Sequence, residues 1–457
     1  MIFSSLLFLF WFMPVFFAVY YLVPAKAKNI VLFLGSIVFY AWGEPKYLLL
    51  ILVSILVNYI LGLLIGRFSE SEKIRKTFFI AALVFDISLL LFFKYIGFFI
   101  SNINSAFGAG IPEINVSLPL GISFYTFQIM SYIIDLYRGK VKAETSVLRL
   151  GTYIVMFPQL IAGPIVVYSE VSEGLKKRSI RAEDVEEGLK VFILGLASKV
   201  LIANNVGMLW KELSQIGYDR ISTPLAWLGA LAFTLQIYFD FNGYSLMATG
   251  LGRMLGFSFP KNFDHPYVSV SITEFWRRWH ITLSSWFREY LYFPLGGSRK
   301  GPVRNYVNLL IVWAVTGFWH GADWNFILWG LYFFVLLSIE KLFLLKRLKD
   351  HRTAGHIYTM FFVIISWVIF SITDPGQLSL YLTRLFGGYG GEDILYYLRN
   401  YGCILLLGCL FSTPVFEGLY RRIKDRSAGV FVSLALLVCS VAYLADASFN
   451  PFLYFRF

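Results

Sequence analysis

Ile2-Phe3-Ser4-Ser5-Leu6-Leu7-Phe8-Leu9-Phe10-Trp11-Phe12-Met13-Pro14-Val15-Phe16-Phe17-Ala18-Val19-Tyr20-Tyr21-Leu22-Val23 contains no charged residue, and the first cations, Lys26 and Lys28, come only after it. With no basic stretch ahead of it and no small-residue cleavage pattern behind it, the segment is predicted to stay as a membrane helix rather than leave as a secretion leader. Apolar runs able to cross about 30 Å of hydrocarbon recur from here to the C-terminus, with no long polar stretch between them. Composition agrees: 58% of the 457 residues are hydrophobic and 19% aromatic, against roughly 45–50% apolar usage in soluble domains. The expectation is an all-α polytopic membrane protein, with residues 1–457 forming a single integral domain.

Lys and Arg number 40 against 28 Asp and Glu, a formal charge of +12. In a membrane chain such an excess marks cytoplasmic loops, so it speaks for topology and lipid contact rather than for a nucleic-acid partner. Lys26 and Lys28 follow the first segment, the turn Gly43-Glu44-Pro45-Lys46 is nearly neutral, and Arg67, Lys73, Arg75 and Lys76 follow the third segment. The positive-inside rule then places the N-terminus outside the cytoplasm. A fourth segment, 78–93, leads to an outer loop at 108–119 that has no Lys or Arg, and a fifth, 120–136, returns to Arg138, Lys140, Lys142 and Arg149.

Residues 150–167 differ, because basic residues flank both ends and Pro158, Gly163 and Pro164 interrupt the run. Such a stretch is predicted to be a re-entrant hairpin, since broken backbone at membrane depth needs protein or water around it. Further spans are expected near 191–209, 225–244, 307–317, 325–345, 357–372, 402–411 and 430–444, about eleven crossings in all, with re-entrant and interfacial pieces. Cys403, Cys409 and Cys439 lie in apolar runs without metal-ligand spacing, so no disulfide framework and no metal site is predicted.

Two of the five histidines sit in tryptophan-rich sequence: His280 in Trp279-His280-Ile281-Thr282 and His320 in Trp319-His320-Gly321-Ala322-Asp323-Trp324. Ionisable groups at bilayer depth are costly and seldom lack a partner or a task. Ser271-Ile272-Thr273-Glu274 is a capping-box pattern, so a helix is expected to begin at Ile272. Along it Trp276, Trp279, His280, Leu283, Trp286, Phe287 and Tyr290 recur at helical spacing, which places His280 on the aromatic face of an interfacial helix. After it, Pro294-Leu295-Gly296-Gly297-Ser298-Arg299-Lys300-Gly301-Pro302 makes a turn whose amides and cations could hold phosphate. Glycines at 317 and 321 frame His320 at a helix junction, where an imidazole can serve as a general base.

No G-x-S-x-G motif supports a serine triad, and two separated histidines are too few for metal hydrolysis. Acyl transfer from a thioester to a hydroxyl, needing a base, oxyanion donors and positioning, suits this set best, though spacing alone leaves other chemistries open.

The sequence resembles the membrane-bound O-acyltransferase family, in its alginate O-acetyltransferase-like branch. The motifs that carry this are Phe39-Tyr40-Ala41-Trp42-Gly43-Glu44-Pro45, Asn262-Phe263-Asp264-His265-Pro266-Tyr267, the run from Phe275 through Trp279-His280 to Gly297, Gly317-Phe318-Trp319-His320-Gly321-Ala322-Asp323-Trp324, and Pro451-Phe452-Leu453-Tyr454-Phe455-Arg456-Phe457. Asp323 and Glu289 depart from that branch, where Asn and Asp are common. The resemblance implies a helical bundle around a funnel or tunnel, His320 as catalytic base and His280 as the second site histidine. It further implies acetyl-CoA as donor, which gives Arg277, Arg288, Arg299, Lys300 and Arg304 a ligand to hold. The function it implies is O-acetylation of an exported polysaccharide from a bacterial inner membrane, with an SGNH-type protein as a partner that completes transfer. Two other activities are weighed beside it: D-alanyl transfer from a carrier protein to teichoic acid, and proton-coupled transport or lipid flipping with the histidines as proton relays.

Overall fold

The structure, a computed structural model, describes residues 1–114, 116–161, 163–446, 449–451 and 453. Of the C-terminal motif at 451–457, only Pro451 and Leu453 fall within these. Among the described residues all regular structure is helical, and eight helices are long and apolar enough to cross a bilayer: Pro45–Arg67, Glu72–Phe107, Ala182–Ile216, Thr223–Met254, Trp324–Asp350, Arg352–Ser371, Ile394–Phe411 and Ser427–Asp446. This is a multi-pass membrane protein. The count falls below the expected eleven because several predicted spans fold into short helices. Phe8–Leu22 spans only part of the opening run, and Ile122–Tyr137 has 16 residues, about 24 Å of helix. Other helices overrun their apolar cores: the span expected at 78–93 belongs to a 36-residue run.

Two compact units divide the chain, Met1–Phe192 with Met247–Pro260, and Ile193–Leu246 with Lys261–Phe457. In the first, Leu48–Arg67 packs on Glu72–Leu90, and both meet Ile122–Tyr137. Phe157 lies at its aromatic centre, with the rings of Phe12, Phe16 and Phe39 5.1–5.4 Å away. The interrupted stretch at 150–167 does break: helix Val147–Val155 stops, Phe157–Leu160 makes a single turn, and 164–167 is non-helical. Protein groups satisfy the interruption, as broken backbone at membrane depth requires. The Phe157 amide donates to Ser36 Oγ at 3.1 Å, and Tyr153 Oη donates to the Val166 carbonyl at 2.9 Å. Buried Glu144 anchors the entry, accepting from Arg149 Nη2 at 2.6 Å and from the Ser146 amide at 2.8 Å.

The second unit packs Pro302–His320 against Trp324–Ile339 more extensively than any other helix pair in the chain. Small residues permit it. A Cβ on Gly317 would stand 2.3 Å from the Phe326 carbonyl oxygen, and one on Gly330 2.3 Å from that of Trp313. Two widened π turns in this unit present buried charges. Ser198–Ala203 carries Lys199 and Glu340–Leu344 carries Glu340, in keeping with the habit of such bulges to place functional side chains. Lys199 Nζ pairs with Asp240 at 2.6 Å and donates to Asn204 Oδ1 at 2.7 Å and to the Pro451 carbonyl. Asp240 Oδ2 accepts from the Leu453 amide at 3.0 Å, so the tail is tied to this pair.

Candidate active site

Helix Ile272–Arg278 begins where the capping pattern places it, with Ser271 Oγ accepting from the Glu274 amide at 3.0 Å. The reciprocal half differs from the expected box, because the Glu274 carboxylate reaches the Val270 amide at 3.1 Å instead of that of Ser271. A carboxylate from far along the chain completes the cap. Glu340 accepts from the Ile272 amide at 2.6 Å and the Thr273 amide at 2.8 Å, filling donors that a helix start leaves open.

The expected continuous helix through Tyr290 is not formed. Trp279 is extended, His280 takes φ 43° and ψ 55°, and a second helix, Ile281–Phe287, starts after it. His280 therefore sits at a break between two helices and not on the stripe of one. The cause is the neighbouring loop, which claims the backbone groups at the break: the Ile281 amide donates to the Asn262 carbonyl at 2.9 Å, and the Asp264 amide to that of Arg278 at 2.9 Å. Arg278 locks the loop further, holding Glu274 at 2.9 Å and Asp264 at 3.2 Å.

His280 is 1% exposed. Its Nδ1 lies 2.9 Å from Asn262 Oδ1, which also faces Thr282 Oγ1 at 2.9 Å and the Thr282 amide at 3.4 Å, while Asn262 Nδ2 donates to Ser245 Oγ at 2.9 Å. An amide N–H can only donate, so the Asn262 atom facing Thr282 is the oxygen, and Nδ1 of His280 carries the proton. Phe241 and Phe263 pack on the ring at 4.6 and 6.3 Å. Burial pushes the His280 pKa down to about 3, because imidazolium would lose its hydration here.

His320 is the last residue of Pro302–His320 and is buried. Trp319, Trp329 and Phe370 surround its ring with centroids at 5.0, 5.0 and 5.3 Å. Asn325 supports this cage by donating to the Ile369 and Phe370 carbonyls at 3.2 and 2.9 Å. As expected, glycines frame the site: Gly317 permits the close helix contact, and the helix ends ahead of Gly321. Trp319 links the two imidazoles, since its indole lies 5.0 Å from His320 and 6.4 Å from His280. Asp323, three residues from His320, is exposed at the start of the next helix.

All five candidate donor-binding cations, Arg277, Arg288, Arg299, Lys300 and Arg304, are exposed. Arg288 lies 3.5 Å from Ser285 Oγ and 3.9 Å from Glu289. The turn between them has left-handed glycines at 296, 297 and 301, and Asn308 Nδ2 donates to the Gly297 carbonyl at 2.9 Å. Periodicity and spacing do not single out Asn262, Glu340 or Asn325: Asn262 lies in a motif and Asn325 just beyond one, but the His280 partner of Asn262 is 18 residues away in sequence.

Among its described residues this multi-pass protein is helical and gathers two buried imidazoles about one indole. Residues 138–382 match the membrane-bound O-acyltransferase family, and the chain belongs to that family and is an O-acyltransferase. A probable alginate O-acetylase of Azotobacter vinelandii is 40% identical, with 100% of each chain covered. A peptidoglycan O-acetyltransferase of Helicobacter pylori is 33% identical over 100% of this chain and 98% of its own. A teichoic acid D-alanyltransferase of Bacillus subtilis is 28% identical over 57% of this chain and 70% of its own.

Proposed function

We propose that this protein takes acetyl from acetyl-CoA at the cytoplasmic face of a bacterial inner membrane and passes it toward hydroxyls of an exported polysaccharide. The observation that carries the proposal is His320, a buried imidazole at a glycine-framed helix end and in aromatic contact with the ring that touches His280. Full-length similarity to acetyl-transferring relatives supports acetyl as the group moved.

In this reading His320 accepts the proton of the attacking hydroxyl as its oxygen bonds to the thioester carbonyl carbon. Collapse of the tetrahedral species breaks the C–S bond, and the proton passes to the departing thiolate. His280 orients the reactants, and Arg277, Arg288, Arg299, Lys300 and Arg304 hold the phosphates of the donor. The hydroxyl belongs to the polymer itself or to an extracytoplasmic SGNH-type protein that forwards the acetyl group.

Replacing His320 with Ala is expected to lower acetyl transfer by about 100-fold or more, the usual scale of a lost general base. Protein that reaches the membrane, unfolds at the wild-type temperature and still acetylates the polymer at the wild-type rate would refute the assignment. A D-alanyl reading has partial similarity to a teichoic acid enzyme in its favour. Binding of CoA but not of an acyl-carrier protein by the purified chain decides against it.

A further inference from the structure

We infer that Asn262 is a positioning residue that fixes His280 as the Nδ1-protonated tautomer, and that the working atom of His280 is the Nε2 lone pair, accepting a hydrogen bond from an N–H or O–H of a reactant. This rests on the reading of His280 as part of the transfer site. Four observations converge on it.

Asn262 Oδ1 makes three contacts, with the His280 ring at 2.9 Å, the Thr282 hydroxyl at 2.9 Å and the Thr282 amide at 3.4 Å, while Asn262 Nδ2 donates to Ser245 Oγ at 2.9 Å. With Nδ1 engaged, Nε2 is the remaining acceptor, and among the described residues no group hydrogen-bonds to this buried atom. Buried polar atoms in folded proteins are rarely left so, and an unfilled one at a candidate site asks for a ligand.

The backbone tells the same story. His280 and His265 are the two non-glycine residues with positive φ among those described, at 43° and 47°, a geometry that is unfavourable at a non-glycine residue. The Asn262 carbonyl, accepting from the Ile281 amide, and the Asp264 amide, donating to the Arg278 carbonyl, hold His280 there. Glycine would take that turn at no steric cost, whereas this chain keeps an imidazole there. Finally, the surroundings are Phe241, Phe263 and Trp319, and burial is what lowers the pKa of the ring. A neutral imidazole that accepts a hydrogen bond suits this setting, and an imidazolium does not.

The donor of that hydrogen is either an amide of the thioester's carrier arm or the acceptor hydroxyl. Purified full-length chain in detergent, supplied with acetyl-CoA and a soluble alginate oligosaccharide, separates them by following CoA thiol release and acetyl transfer together. His280→Asn is the telling variant. Asparagine tolerates the left-handed turn and places polar atoms where Nδ1 stood, but has nothing at Nε2. His280→Asn is expected to unfold like wild type yet lose at least about ten-fold in transfer, the range seen when a supporting hydrogen bond goes. A raised KM for acetyl-CoA marks the carrier arm as the partner. Thiol release without transfer marks the hydroxyl.

Asn262→Asp puts a carboxylate beside Nδ1, favouring the imidazolium, and the acidic limb of the rate profile is expected to move to higher pH by about one unit or more. Should Asn262→Asp fail to reach the membrane, Thr282→Val, which loosens the same oxygen, is expected to lower the rate with the folded fraction unchanged. Wild-type rates in His280→Asn would overturn the inference, as would an unmoved acidic limb in Asn262→Asp. If even His280→Ala keeps full transfer, it is the site reading itself that fails.

Discussion

At the scale of single residues, burial decides what each ionisable group costs. His280 has its pKa pushed down to about 3 by desolvation, whereas in the unfolded chain it titrates at the ordinary value near 6.5. A folded-state pKa below the unfolded one gives stability that is complete above about pH 6.5 and is lost as pH falls toward 3. His265, half-buried and also lowered mainly by burial despite Glu417 at 3.1 Å, acts in the same sense. Thermal midpoints in detergent should therefore fall below pH 6.5, with His280 contributing up to about 1.4 kcal/mol per pH unit. In His280→Asn this acid sensitivity should be visibly shallower, and an equal slope in both proteins would contradict it. Lys199 and Asp240 are a second case, 1% and 4% exposed at 2.6 Å. Removing one partner of a buried pair typically costs about 3–5 kcal/mol. Lys199→Met should lower the thermal midpoint sharply, whereas Lys199→Met with Asp240→Leu should recover most of the loss. A double variant no better than the single one would show that the tail contacts, not the charges, carry the stability.

Between elements, the contact that frames His320 is made by absent side chains. Gly317 lies one helical turn before His320, and a methyl group there would meet the Phe326 carbonyl at 2.3 Å and the Gly330 Cα at 3.3 Å. Backbone cannot yield as a flexible side chain does, so Gly317→Ala must part the two helices, at about 1–3 kcal/mol. Its effect on transfer should exceed its effect on folding, because the cage of Trp329 and Phe370 around His320 depends on the same packing. Activity per folded molecule equal to wild type would refute that coupling. Element starts were legible in sequence and element continuity was not. Ser271 caps the helix at Ile272 as its pattern indicates, yet the same apolar periodicity runs unbroken through 279–280, where the chain breaks. Periodicity records which face is apolar. It does not record that the 262–264 loop competes for the amides of the next turn.

For the whole molecule, topology is the property to test. Lys and Arg placement predicts the N-terminus and the 108–119 loop on the extracytoplasmic side and the 67–76 turn in the cytoplasm. Cys403, Cys409 and Cys439 are free, so replacing all three with Ser should leave a functional background for labelling. A cysteine at Gly110 should then react with an impermeant maleimide in intact cells, and one at Ser71 only after the membrane is opened. The reverse pattern would invert the topology. The sequence by itself determined that this is a multi-pass helical membrane protein and the family to which it belongs. Composition, run length and local motif suffice for those, since bilayer thickness and helix geometry translate directly into residue counts. Only the tertiary structure decided that His280 lies at a strained break, that Asn262 assigns its proton, that Glu340 caps the helix before it from 68 residues away, and that one indole joins the two imidazoles. Each of these is a contact between residues distant in sequence, and a side chain's tautomer and burial are set by the neighbours that packing brings to it.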